Sequence, residues 1–307
     1  MKNSAPNRIL IIGGTALLGP HVVRALSASC EIHPLTRSGK PITFETAHTG
    51  DRRNENDMQR TLGTVQPNLI IDMIPFTAQD AHLLCQLASA ETPLIALSSV
   101  DVYQSYGLLH GTESGPPQSC PLRETATLRA KFGPEGAAYD KIAIERLYGE
   151  HFKNLTILRM PALYGWPDTT RVLPYLDQML EGAPEISLTA HRARFRFSRA
   201  PHKNAAHAIA LAARANQNGQ HIYNVAEEGA HSELEWAQSI AHHAGWSGQF
   251  TITPDNEPEN RQHLYVDTTK IRTELGFDEI FNTDEGLADT IAFHLYERLG
   301  KPYQKYY

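Results

Sequence analysis

Apolar residues near the N-terminus come in short unbroken blocks, and after each block they recur every three or four positions. RILIIGG (8–14) reads as a buried strand, and TALLGPHVVRALSAS after it as a helix, with Pro20 in the first turn where a missing N–H costs little. EIHPLTR (31–37), NLIIDMI (68–74) and PLIALSS (93–99) give further strands, and TAQDAHLLCQLASA (77–90) a helix. A helix from about Asp140 to His151 then leads into the strand NLTILRMPALYG (154–165). Strands that alternate with helices pair in parallel through right-handed crossovers, which predicts an α/β fold with a doubly wound parallel sheet.

After Asp168 the period changes. RVLPYLDQMLEG (171–182) is helical, ISLTAHRARFRFS (186–198) alternates like strands, NAAHAIALAARA (204–215) is an alanine-rich helix and HIYNVAEE (221–228) a strand. SELEWAQSIAHHAGW (232–246) opens a helix with Ser232 as N-cap and Glu235 three residues on, a capping box. The pattern predicts a dinucleotide-binding domain over 1–168 and about 200–228. Residues from about 169 to 199 and from 229 to 307 would form a smaller C-terminal α+β substrate lobe. The segment between Tyr106 and Phe132 is rich in glycine and proline and is expected as a loop over the sheet's edge.

The 307 residues are 41% hydrophobic and 20% charged, enough for an extensive core, and the net charge of −6 offers no broad basic field for nucleic acid. The first apolar run is too short to span a membrane or act as a leader, so a cytoplasmic location is expected. Three cysteines without C-x-x-C spacing suggest neither a disulfide framework nor a zinc ribbon. Fifteen histidines show no H-x-x-x-H set, so no metal is expected.

Glycines 13, 14 and 19 lie between a strand and a helix, where free N–H groups and partial positive charge suit a pyrophosphate. Gly13, Gly14, Thr15, Ala16, Leu17, Leu18 and Gly19 are the candidate cradle, with Ala16 where such turns usually carry glycine. After the second strand stands Thr36-Arg37-Ser38-Gly39-Lys40, with no carboxylate to accept from a ribose 2′-hydroxyl. NADP is therefore slightly favoured over NAD, with Arg37 as a candidate ligand. The alternative is that Arg37 and Lys40 are solvated surface charges. Asp51 and Arg52 are candidates for the adenine edge.

These residues resemble the extended or atypical branch of the short-chain dehydrogenase/reductase superfamily, the NAD-dependent epimerase/dehydratase family. The likeness rests on GGTALLG, SSVDVY, YDK, LRMPALYGWPD, IYNVAEE and VDTTKIRTELGF, which occur in that order over nearly the whole chain. It implies a Rossmann-type sheet and an enzyme acting with NAD(P). Ser99, four residues before Tyr103, would bond the reacting oxygen; Met73, Ile74 and Pro75 would border the nicotinamide from one side, and Pro161 and Leu163 from the other. Tyr103 is a candidate substrate contact or a packing residue.

In the family the tyrosine and lysine are spaced Y-x-x-x-K, whereas here Tyr139 and Lys141 are two apart. Inside a regular helix they would diverge by about 200°. A tyrosine titrating near 10 needs about 4 kcal/mol to act as a base near pH 7. An ammonium about 4 Å away at a dielectric of about 20 supplies roughly that amount. The couple therefore requires Tyr139 to precede the helix and fold back, with Asp140 as N-cap; otherwise Tyr139 packs and Lys141 alone holds the nicotinamide ribose. Arg192, Arg194 and Arg196 share one face if the run is a strand, and Arg196 is a candidate anion contact; the alternative is a solvated strand face.

The expected activity is an NAD(P)-dependent epimerase, dehydratase or reductase using Tyr139, Lys141 and Ser99 on a sugar or nucleotide-sugar-like hydroxyl or carbonyl. The rival is a non-catalytic NAD(P)-binding sensor. Expected partners are a small-molecule substrate, no nucleic acid and no membrane, in a monomer or homodimer.

Overall fold

The computed structural model describes residues 8–15, 17–37, 46–255 and 262–300. Among them, one parallel sheet is built from β1 (Arg8–Ile12), β2 (Glu31–Thr36), β3 (His48–Thr49), β4 (Leu69–Asp72), β5 (Leu94–Ser99), β6 (Leu155–Met160) and β10 (Gln220–Asn224). Two parallel pairs lie outside it: β7 (Ala162–Tyr164) with β9 (Arg199–Pro201), and β8 (Glu185–Thr189) with β11 (Gln249–Thr253). The large sheet runs β10–β6–β5–β4–β1–β2–β3. The order reverses between β1 and β4, and a crevice opens at the C-terminal ends of strands at such a point.

Strand alternation divides the core. Ile9 and Ile11 pack with α1 (Gly19–Leu26), α8 (His202–Ala215) and Ile271 of α10 (Thr269–Leu275). Leu10 and Ile12 face the other way, towards α2 (Glu55–Val65), α3 (Ala78–Leu87) and α5 (Lys141–His151). This is the doubly wound Rossmann-type arrangement. A third cluster, with Trp236 and Tyr164 edge to face, joins α6 (Leu173–Leu180), β8, α9 (Glu233–Ala244) and α11 (Thr283–Arg298). The remaining helices are short, α4 (Gln104–Leu109) and α7 (Ala190–Arg194).

Several elements differ from the sequence expectation. The run 186–198 is not strand throughout: β8 ends at Thr189, whose hydroxyl accepts from the Arg192 N–H and starts α7. The strand predicted over 154–165 is broken at Pro161 into β6 and β7, since proline lacks the N–H that a ladder needs. α2 was not expected, because only Met58, Thr61 and Val65 of its eleven residues are buried. Its start is a side-chain cap, Asn54 accepting from the Asp57 N–H. The capping box at Ser232 and Glu235 forms as predicted.

One buried ion pair ties the crevice walls together. Arg52 and Asp72 are 6% and 0% exposed, and Arg52 Nη1 donates to both Asp72 oxygens at 2.7 and 2.9 Å. Arg52 Nη2 donates to the Asp80 carbonyl at 2.7 Å, and the Tyr148 hydroxyl donates to Asp72 Oδ2 at 2.5 Å. Arg52→Met leaves a buried carboxylate without its cation and is expected to cost about 3–5 kcal/mol in urea denaturation, whereas Tyr148→Phe, which removes one neutral donor, is expected to cost about 1–2.

His202, at the start of α8, is buried, and burial pushes its imidazole down to about 4 from an ordinary 6.5. Above pH 6.5 it is neutral in both folded and unfolded chains. Between 6.5 and about 4 only the unfolded chain takes the proton, so stability falls as the pH falls. At about 1.4 kcal/mol per pH unit, wild type is expected to lose up to about 3 kcal/mol more than His202→Gln between pH 7 and pH 4, read from urea midpoints at each pH.

Candidate functional site

The turn after β1 is closed so tightly that a side chain does not fit at its three glycines. Gly13 has φ +93°, and a Cβ there would sit 2.9 Å from Ile74 Cγ2; one on Gly14 would be 2.6 Å from Pro34 Cβ, and one on Gly19 2.2 Å from the Gly14 carbonyl oxygen. α1 begins at Gly19 with Leu18 as its N-cap, so its free N–H groups open towards the space above the turn. Thr15 and Leu17 are exposed and Leu18 is buried. Ala16 and Lys40 lie outside the described residues.

Beside the turn a cleft of about 470 Å³ runs along the ends of β1 and β2, walled by Gly13, Thr15, Thr36, Arg37, Asp51 and Ile74. Arg37 and Asp51 bring a cation and a carboxylate to the end of the cleft away from β4. Arg52 also lines it, but its guanidinium is turned inward to Asp72 and Asp80, so it is a wall and not a free donor for the adenine edge.

The other end follows from β4 and β5. The Met73 N–H donates to the Ile12 carbonyl at 3.1 Å, Ile74 abuts Gly13, and the Pro75 carbonyl accepts from Lys141 Nζ at 2.6 Å. This chain of contacts carries the glycine turn to the lysine. Ser99 ends β5 opposite Met160, so Pro161 and then Leu163 follow directly on the neighbouring strand.

Helix α5 begins at Lys141, and Asp140 is its N-cap, accepting from the Ala143 N–H at 3.3 Å. Tyr139 precedes it with φ −141° and ψ 80°, after a 3₁₀ turn over Gly136–Ala138. Lys141 Nζ lies 5.3 Å from the Tyr139 ring centroid and 5.1 Å from that of Phe76, and also donates to the Leu97 carbonyl at 3.3 Å. Burial pushes this ammonium down to about 8.

The Tyr139 hydroxyl points elsewhere, to Asp101 Oδ2 at 3.5 Å. Lys141 was expected to lower the tyrosine pKa. Instead it is raised, by burial first and then by the Asp101 carboxylate, while a hydrogen bond from Ser99 pulls the other way. The lysine meets the face of the ring and the carboxylate meets its oxygen. Burial also raises Asp101, whose N–H donates to Ser99 Oγ at 3.2 Å.

Ser99, Tyr139 and Lys141 thus come together, and Tyr103 and Arg196 do not join them. Tyr103 is fully buried; its hydroxyl donates to Asn224 Oδ1 at 2.6 Å and accepts from Arg159 Nη1 at 3.0 Å. Arg196 donates to the Ala230 carbonyl and to Glu235, at 2.5 and 3.2 Å. Two residues at the site were not singled out from the sequence. Asp101 lies within the quoted SSVDVY, two places after Ser99. Arg171 lies with its guanidinium 5.5 Å from the Phe197 ring centroid, unpaired with any carboxylate among the described residues, and exerts a favourable charge effect on Asp101.

Solved structures with the same fold include three that work on or hold nucleotide sugars or their parts. A dTDP-glucose 4,6-dehydratase from Streptomyces venezuelae, solved with NAD, has a TM-score of 0.74 at 18% identity, covering 96% of this chain and 98% of that one. A UDP-glucose 4-epimerase from Thermotoga maritima, solved with UDP-glucose, gives 0.71 at 16%, covering 94% and 99%. A Bordetella bronchiseptica enzyme in complex with NAD and UDP gives 0.72 at 15%, covering 97% and 96%. At these identities the likeness is one of fold. A search of curated proteins gives no match. Residues 9–226 match the NAD dependent epimerase/dehydratase family, and with more than half of the chain covered, this protein belongs to it.

Proposed function

We propose that the protein uses NAD(P) to oxidise and re-reduce a hydroxyl-bearing carbon of a nucleotide-sugar-like substrate, as an epimerase, dehydratase or reductase. The observation that carries this is the convergence of Ser99, Tyr139 and Lys141 at the end of β5, joined to the glycine turn through Ile74 and Pro75. The turn fits a dinucleotide, because its glycines hold β1 close against the N-terminus of α1, whose first N–H groups are free for a pyrophosphate, and Gly13 lines the cleft.

When bound, the cofactor supplies the hydride acceptor and donor at nicotinamide C4. Lys141 keeps one donor beyond those given to Pro75 and Leu97, and would offer it to the nicotinamide ribose. Ser99 would orient the substrate oxygen, and Tyr139 would exchange its proton. Pro161 and Leu163 would close the ring's other side. Arg37 supports NADP and Asp51 supports NAD; the related structures hold NAD. Arg171, unpaired with any carboxylate among the described residues, supports an anionic substrate such as a sugar diphosphate.

The division into a dinucleotide domain (1–168 with about 200–228) and a substrate lobe belongs to this proposal, as do a cytoplasmic, monomeric or dimeric state and the lack of nucleic-acid or membrane partners. The charge of −6 supports the absence of nucleic-acid binding, and no described helix is long and apolar enough to cross a membrane. The raised Tyr139 pKa favours one rival, a dinucleotide-binding sensor without turnover.

The two separate on kinetics. With a panel of nucleotide sugars, analysis of the sugar product is expected to report turnover, and Tyr139→Phe is expected to lower kcat at least about 100-fold with cofactor Kd unchanged. Equal turnover in that variant contradicts the role of Tyr139. Arg171→Met removes a charge-assisted contact of about 1.5–3 kcal/mol, so KM for the sugar nucleotide is expected to rise about 10–100-fold with kcat nearly constant. An unchanged KM removes Arg171 from the substrate site.

A further inference from the structure

We infer that Asp101 is the proton-accepting partner of Tyr139, so that in substrate oxidation the phenol oxygen takes the substrate's hydroxyl proton while passing its own to the Asp101 carboxylate. The inference rests on the proposed reaction and concerns how its tyrosine is activated.

A lysine beside a tyrosine can favour its phenolate, but here the ammonium lies over the ring face and the hydrogen-bond partner of the hydroxyl is a carboxylate. Lys141 Nζ lies against the ring face, 5.3 Å from its centroid, with two of its three donors given to the Pro75 and Leu97 carbonyls. The tyrosine O–H instead meets Asp101 Oδ2 at 3.5 Å. This distance is at the outer limit of a hydrogen bond, and catalytic contacts of that kind commonly tighten on substrate binding.

Asp101 is held in place from both sides. Ser99 Oγ accepts its N–H at 3.2 Å and caps the 3₁₀ turn Val100–Val102, while Arg129 Nε donates to its carbonyl at 3.0 Å. The residue is therefore locked one short turn from the serine that would orient the substrate. Other charged and titratable groups face the pair. Glu135 raises the affinity of Asp101 for a proton, and Arg171 and Arg129 reduce it. Tyr106, whose hydroxyl donates to Glu135 Oε1 at 2.6 Å, feels both Asp101 and Tyr139. Burial raises the carboxyl, which suits a group that must hold a proton for part of a cycle.

The step balances without a phenolate. The substrate C–H bond breaks and its electron pair leaves with hydrogen as hydride to the nicotinamide. The substrate O–H proton bonds to the Tyr139 oxygen, and the former Tyr139 proton bonds to Asp101, leaving a carbonyl and a neutral carboxylic acid. Running the same moves backwards returns proton and hydride. An epimerisation or dehydration is then redox-neutral, and a net oxidation passes the Asp101 proton to water.

The test is a titration that does not depend on finding the substrate. In protein labelled with ¹³Cζ-tyrosine, the Tyr139 resonance is assigned by its absence in Tyr139→Phe and followed from pH 7 to about pH 11. The wild-type midpoint is expected above the free value of about 10. It should fall by at least about one pH unit in Asp101→Asn and stay high in Asp101→Glu, which keeps the carboxylate; Lys141→Met should move it less. A midpoint below 10 that ignores Asp101→Asn and rises in Lys141→Met overturns the inference in favour of the lysine. In turnover, Asp101→Asn is expected to remove the acid limb of the kcat profile and to lower kcat at least about 100-fold with cofactor Kd within about two-fold. An acid limb that persists also overturns it. Wild type that turns over no sugar nucleotide counts against the proposed reaction, and the resonance still decides the dyad.

Discussion

The contact of Arg52 with Asp72 governs how this molecule builds a site. Asp72 ends β4 in complete burial, where an unpaired carboxylate is not tolerable, so the loop after β3 must deliver Arg52 and α5 must deliver Tyr148. Three segments are thereby fixed to one point at the strand-order reversal. The loop becomes the wall of the cleft beside Asp51. On α5, Lys141, Ile144 and Tyr148 share the buried face, two turns separating first from last, so the helix that brings Tyr148 to Asp72 also brings Lys141 under Pro75. The helix has one docking solution, and the lysine is part of it.

The unusual spacing of Tyr139 and Lys141 is resolved at the helix boundary. Asp140 takes the cap, the helix starts one residue later, and Tyr139 is left in non-helical backbone with its ring across the ammonium. The ring reaches the lysine and the hydroxyl passes beyond it to Asp101 and Ser99. A tyrosine four residues before Lys141 would come from Ala137, inside the preceding 3₁₀ turn. The variant motif therefore changes which charge addresses the phenol oxygen, an anion where the usual spacing offers a cation.

Much of this was legible in local pattern. Alternating apolar blocks gave the sheet, and Asp140 and Ser232 their helix starts, because each depends on residues within a few positions of one another. What local pattern left open or missed depends on distant partners. Tyr103 belongs to a motif that points to a site, yet its hydroxyl is claimed by Asn224, 121 residues on. The arginine run left an anion clamp and a solvated face both open, and Glu233 and Glu235, on a helix some forty residues later, pair with Arg192, Arg196 and Arg199. Arg171, outside that run, pairs with no carboxylate among the described residues, and no periodicity marks it. α2 escaped notice because a helix with so few buried positions carries little apolar period.

The most direct test of the account is a crystal structure of the protein with NAD(H) or NADP(H). The account predicts adenosine in the cleft by Asp51, pyrophosphate over Gly13 to Gly19, and the nicotinamide ribose within hydrogen-bond reach of Lys141 Nζ, with Tyr139 and Ser99 facing the ring's C4. A dinucleotide bound elsewhere, or a nicotinamide out of reach of Tyr139, would contradict it.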